Sequence, residues 1–201
     1  MVKARLILVT ATFMLASGCA SSLMINSASQ ELVTPATDLA QIVFVRSSFV
    51  GGAIQAALFD VSTSEPELIG ILSNGKKIAY MVDPGEHVFM VVSEAADFLE
   101  ANLEGGKTYF AMVTPRMGVM SARFSLQPVR NGASGEFQYQ SDEFQRWLEV
   151  TELVANTPAS NAWAAENISD VRSKRAEYWE VWQQRTLAAL AERTLNPDDG
   201  I

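Results

Sequence analysis

The chain has one cysteine and one histidine among 201 residues. With Cys19 as the only thiol, no disulfide can close within the chain and no redox pair exists. A lone imidazole, His87, and a lone thiol cannot assemble a zinc site of the usual composition or a cysteine-based triad. No P-loop, G-x-G-x-x-G or D-x-[DN]-x-[DN]-G pattern occurs. Gly132-Ala-Ser134-Gly135 lacks the G-x-S-x-G spacing and the strand-to-helix setting of a nucleophile elbow. Nothing in the sequence calls for a cofactor. Hydrophobic runs are short as well: Leu6 to Leu15 is about ten residues, against the roughly twenty needed to span a bilayer.

What is present first is a leader. Met1-Val-Lys3-Ala-Arg5 is basic, the apolar run follows, and Ala16-Ser17-Gly18 supplies small residues before Cys19, which reads as a removable signal peptide over residues 1–18. Leu15-Ala16-Ser17-Gly18-Cys19 resembles the lipobox of bacterial lipoproteins, with Ala16 where leucine is usual. The resemblance implies that Cys19 becomes the acylated first residue of the mature chain, carrying palmitate-type chains. Because two or more acyl chains anchor stably where one does not, the membrane partner is reached through that lipid. Ala20 stands where an aspartate would imply retention at the inner membrane, so the expected location is the outer membrane, facing the periplasm.

Removing Lys3 and Arg5 leaves 13 basic against 23 acidic side chains, a balance of −10. That sign repels nucleic-acid phosphates and anionic headgroups, and nucleic acid is excluded as a bulk electrostatic partner.

Residues 19–40 are rich in Ser, Thr, Ala and Asn and read as a flexible tether. Beyond Gln41, short apolar runs alternate with turn residues, which predicts a mainly β fold: an antiparallel sandwich of about eight strands over 41–130. Asn74-Gly75 predicts a type I′ hairpin, and Asp83-Pro84-Gly85 a second reversal. The last strand is the clearest, with Met120, Ala122, Phe124 and Leu126 alternating against polar residues. A linker over 131–140 leads to a C-terminal helical hairpin over 141–195. Its first helix carries Phe144, Trp147, Leu148 and Val154 and is stopped by Pro158. The second begins between Ser160 and Ser169 and buries Ile168, Val171, Tyr178, Trp182 and Ala189. Residues 196–201 read as a loose tail.

The β region resembles a family of small bacterial lipoprotein domains of unknown function, similar in appearance to PEGA-type sandwich modules. The resemblance rests on Val43-Phe44-Val45-Arg46, Gly51-Gly52-Ala53, Ile69-Gly70 with Asn74-Gly75, Pro84-Gly85-Glu86-His87, and Gly106-Lys107-Thr108-Tyr109-Phe110. It implies a fold and no chemistry.

Three groups of residues invite a functional reading. His87 stands beside Glu86 and near Asp83, but neighbours in a strand point to opposite faces, so a turn-stabilising role outweighs a metal or acid/base pair. Glu94, Asp97, Glu100 and Glu104 could hold a catalytic pair, though such charges more often form a solvated strand edge. All four tryptophans lie beyond residue 146. Of these, Trp182 is expected in the core, and Trp179 with Tyr178 forms the candidate surface for an envelope protein partner. The expectation is a non-catalytic binding or structural module, the alternative a carboxylate-based envelope glycan hydrolase.

Overall fold

The computed structural model describes residues 23–48, 54–117, 122–132 and 135–201. Cys19 and the Gly51-Gly52 loop lie outside them, as does Met120. Twelve strands and three helices occur among the described residues. In chain order they are β1 (Met24–Asn26), β2 (Ala40–Arg46), β3 (Ala56–Asp60), β4 (Glu67–Leu72), β5 (Lys76–Val82), β6 (Gly85–Val92), β7 (Ala96–Leu103), β8 (Thr108–Met117), β9 (Ala122–Arg130) and β10 (Phe137–Gln138). Helix α1 (Asp142–Val150), strand β11 (Glu152–Asn156), helices α2 (Pro158–Gln183) and α3 (Leu187–Ala191), strand β12 (Thr194–Leu195) and a 3₁₀ turn (Pro197–Asp199) complete the chain.

The fold is mainly β with helices towards the C-terminus, but it is not the antiparallel eight-stranded sandwich expected. Two mixed sheets face each other, in the orders β1-β11-β5-β2-β8-β9-β10 and β12-β7-β6-β3-β4. Four strand pairs are parallel: β2 with β8, β5 with β11, β9 with β10 and β7 with β12. The reason lies in the turns. Asn74-Gly75, Asp83-Pro84 and Gly105-Gly106 do not join neighbours; each carries the chain from one sheet to the other. Gly75 and Gly106 take φ of 73° and 78°, whereas Asn74 keeps a negative φ, so no type I′ turn forms. Because the chain swings between sheets, β2 and β8 return to the first sheet running the same way.

The seven-stranded sheet is covered on both faces, which is why β2 is buried along its whole length. Ile42, Phe44, Tyr109 and Ala111 face the interior between the sheets, where Phe44 meets Phe89 edge to face at 5.5 Å. Val43, Val45, Phe110 and Met112 face the other way, onto Phe144, Trp147 and Leu148 of α1. Burying an aromatic of this size contributes about 1.5–3 kcal/mol. On the far side of the molecule α2 lies across the five-stranded sheet. Ser160, Val171 and Trp182 are its buried residues, spaced by eleven, and Trp163, Ala164, Tyr178 and Trp179 also pack against the core. Eleven residues make three turns of a nearly straight helix, so one line of side chains stays on the sheet for about 33 Å.

The C-terminal region is not a helical hairpin. Ser141 caps α1 by accepting from the Phe144 N–H, and the helix ends at Val150, where the Thr151 hydroxyl donates to the Trp147 carbonyl at 2.7 Å. Leu153 and Val154 then enter β11 between β1 and β5. Pro158, expected to stop a helix, instead occupies the first turn of α2 behind the Thr157 cap, where its missing N–H has no cost. After α2 the Thr186 cap starts α3 anew, so Ala189 belongs to a separate short helix.

The described part of the tether, residues 23–40, is also structured. Met24 to Asn26 pair with β11, and the Gln30 side-chain amide both donates to the Leu153 carbonyl and accepts from its N–H. Residues 137–138 of the linker pair with β9. The tail is held: Ile201 and Thr108 exchange both backbone hydrogen bonds, at 2.9 and 3.0 Å, and Asp199 is buried.

Candidate functional site

His87 lies at the mouth of the space between the sheets, stacked on Phe89 at 5.7 Å. Its Nε2 contacts the Asp83 carbonyl at 2.9 Å. Its Nδ1 faces both the Ser62 hydroxyl at 3.2 Å and the Asp60 carboxylate at 3.5 Å. Strand β6 supplies His87, and β3 with its exit turn supplies Asp60 and Ser62, the Ser62 N–H donating to Asp60 Oδ1 at 2.9 Å. The hydrogen bond to Asp60 pulls the His87 pKa above 6.5 against the opposing effect of burial, with the Asp83 carbonyl adding to the rise. Burial alone would raise the Asp60 pKa, but hydrogen bonds from His87 and Ser62 outweigh it and hold the group below 3.8.

Serine, histidine and aspartate together invite comparison with a hydrolytic triad, and the geometry decides against it. A triad needs the serine on one ring nitrogen and the carboxylate on the other. Here both meet Nδ1, Nε2 is held by a backbone carbonyl, and the Ser62 hydroxyl donates to Asp60. Glu86, its sequence neighbour, is exposed, as is the Asp83 side chain. The cluster joins β3 to β6 and the Asp83 turn.

A second cluster was hidden from the sequence. Asp97, expected on a solvated edge, is 2% exposed. Its Oδ2 accepts from Arg193 and from the Leu126 N–H, and the Arg193 Nε donates to the Leu126 carbonyl at 2.8 Å. The pair thus bonds both backbone groups of one residue of β9 and links the two sheets where they meet. Two further guanidinium groups approach the other carboxylate oxygen, Arg116 at 3.3 Å and Arg185 at 3.8 Å. Arg185 stacks 4.2 Å over the Trp182 ring, whose Nε1 donates to Glu100 at 2.7 Å. Burial lowers the Arg185 pKa; Asp97 opposes the shift, and Arg193 and Arg116 add to it. Glu94 and Glu104 are exposed.

Arg185 and Arg193 also line a groove of about 940 Å³ between the β9 edge and α3, together with Gln127, Arg130, Asn131 and Ala188. Arg130 shapes its floor: its guanidinium donates to the carbonyls of Ala191, Glu192 and Thr194 and to Asp199. These arginines are scattered over some eighty residues of sequence, and no local pattern connects them. Only the acidic background, against which gathered arginines stand out, could have drawn attention to them.

The proposed partner-binding residues, Tyr178 and Trp179, lie on α2, seven and six positions before Arg185. Trp179 and Trp182 both meet Phe98 edge on, at 5.0 and 5.6 Å. Trp182 is 3% exposed, while Trp179 and Tyr178 are half-buried and leave part of their rings to solvent. Among the described residues no group of three or more His, Cys, Asp or Glu side chains could hold a metal ion, and no helix is long and apolar enough to cross a membrane. No protein-family model matches the sequence, and no curated protein matches it.

Proposed function

We propose that this chain is a lipid-anchored protein of the bacterial cell envelope, held by Cys19, whose mature domain is a non-catalytic binding module. The observation that favours binding over a glycan hydrolase is the state of its inner carboxylates. A hydrolase needs two acids converging on an open cleft, one of them available to give up a proton. Asp97 is engaged by arginines and a backbone amide, and Asp60 by His87 and Ser62. Both are committed to the fold. What opens to solvent is a groove whose lining carries both arginines (Arg130, Arg185, Arg193) and acids (Glu136, Glu192, Asp199), and, on α2, the half-buried rings of Tyr178 and Trp179.

Anchoring through Cys19 also makes sense of the ordered segment after it. With Met24 already paired in β1, at most about 18 Å of chain would separate the lipid from the fold. The β1 edge would then rest close to the bilayer, with the groove at the opposite edge of the sheet, facing the periplasm. Ala20 after the cysteine favours the outer membrane. Cys19→Ser should release the protein from membranes, and retention after a high-salt wash would refute the anchor. Pull-down from detergent-solubilised envelope, comparing the parent with Trp179→Ala, tests the binding role.

A further inference from the structure

Where α2 crosses the five-stranded sheet, three directly opposed residues form a row beneath it: Val92 of β6, Ala57 of β3 and Ile71 of β4. Ala57 is the small member in the middle, so a hollow of about 240 Å³ remains between the row and Val171 of the helix. That is the space of about eight waters at roughly 30 Å³ each, the bulk of one sugar ring with a small substituent. The floor is apolar, since Ala57, Ile71, Val92 and Val171 are each at most 5% exposed.

The rim is polar and comes largely from one flank of α2. Trp163, Asn167 and Asp170 stand four and three residues apart and so share a side of the helix. Trp163 is half-buried, and among the described residues its indole N–H makes no hydrogen bond, although such a group normally finds one. Asn167 gives one amide N–H to the Trp163 carbonyl at 2.8 Å, Gln55 gives one to the Ser73 hydroxyl at 3.2 Å, and one oxygen of Asp170 accepts from Lys174 at 2.5 Å. Each of the three keeps an oxygen, and each amide a second N–H, for a further partner. Asparagine is a poor residue for mid-helix, so helix stability does not account for Asn167.

An apolar floor with a few convergent polar groups is the build of a small-molecule site. Lys174 offsets the charge of Asp170, so the ligand that fits is uncharged. A pyranose carries hydroxyls around its edge for the amides and the carboxylate, and C–H faces for the indole. An acetamido substituent adds a methyl group for the aliphatic floor and an amide to pair with Asn167 or Gln55. Among the described residues Asp170 is the only carboxylate lining the cavity, whereas cleaving a glycosidic bond takes two, so the site binds without hydrolysing.

We infer that the cavity between α2 and the Val92-Ala57-Ile71 row is a binding site for a neutral N-acetylated pyranose, with Trp163 against the ring and Gln55, Asn167 and Asp170 on its polar groups. This rests on the binding-module reading and names its ligand class. The same chemistry serves a free sugar and a unit of a glycan chain.

The experiment uses the full chain in a detergent without a sugar headgroup. N-acetylglucosamine, its linked trimer and glucose are titrated by calorimetry, with thermal melting alongside. A ligand this small should bind saturably with Kd of about 1 mM and raise Tm. Glucose, lacking the acetamido group, should bind at least about tenfold more weakly. Asn167→Ala should weaken N-acetylglucosamine binding about threefold or more and yet melt no lower than the parent, because alanine is the better helix former. Ala57→Val, which fills the hollow from below, should abolish saturable binding; if it does not fold, Asn167→Ala still decides. Glu166→Ala, on the exposed face of α2, should bind like the parent. A trimer that binds at least as tightly as the monomer assigns a glycan chain, and monomer binding without trimer binding a free sugar. No saturable binding of N-acetylglucosamine, equal binding of glucose, or parent-like binding by Asn167→Ala would overturn the site. Trp179 lies about 160° around α2 from Trp163, so the Trp179→Ala pull-down reports on the module reading without touching the cavity.

Discussion

Asp97 and Arg193 hold the backbone of Leu126 between them: the carboxylate accepts from its N–H at 3.2 Å and the guanidinium donates to its carbonyl at 2.8 Å. A charged pair thereby does the work of a strand at an edge of β9 where the sheets meet. Removing Asp97 strands the Arg193 charge and the Leu126 N–H in a buried place. Asp97→Ala should therefore cost about 3–5 kcal/mol, measured by denaturant unfolding. A cost below about 1 kcal/mol would mean that water replaces the carboxylate. Arg193→Met in the Asp97→Ala background should cost less than it does alone, because the pair acts as a unit.

The Asp60–His87 pair makes stability depend on pH. His87 has its pKa raised above 6.5, so its contribution is fully present below 6.5 and disappears as pH rises through the higher folded value. Asp60 has its pKa lowered below 3.8, so its contribution is present above 3.8 and is lost as pH falls through the lower folded value. The free energy of unfolding should thus be highest between those limits and decline on passing from pH 6.5 towards the alkaline side. His87→Gln should remove the alkaline decline; a decline that persists unchanged would assign it to another group.

Trp182 and Trp179 should separate in their effects on stability. Trp182 is buried against Phe98, carries Arg185 on its face and donates to Glu100, so Trp182→Ala should cost about 3–5 kcal/mol. Trp179 is half-buried and makes the Phe98 contact without such a network, so Trp179→Ala should cost about half as much and leave a cooperative melt. Thermal melts of the two variants decide the order, and equal costs would contradict it.

Gly105→Ala tests whether the segment before β2 is part of the fold. A Cβ at Gly105 would lie 2.1 Å from the Thr37 carbonyl oxygen, a backbone atom that cannot swing aside. If residues 30–40 pack as described, the substitution should destabilise by about 1–3 kcal/mol and open that segment to protease. If the segment were a loose tether, neither the melt nor the cleavage pattern would change.

Strand content, the positions of most strands and the core identity of Trp182 were legible in the sequence because they depend on local pattern: alternation in β9, glycine turns and apolar spacing in α2. Sheet membership was not. A glycine turn that folds a strand back on its neighbour and one that arches to the opposite sheet have the same local chemistry, and only the packing of Phe44 on Phe89 and of α1 on Phe110 decides between them. Pro158 had the same ambiguity, since a proline equally follows one helix or begins the next; the place of Leu153 and Val154 between β1 and β5 resolved it. The arginine cluster lay furthest from view. Arg116, Arg185 and Arg193 come from a strand, a turn and a strand edge, and their meeting at Asp97 is a long-range consequence of how the C-terminal segment closes the sandwich. Local periodicity carries no record of such contacts, because the energy that specifies them arises only when distant segments are already packed.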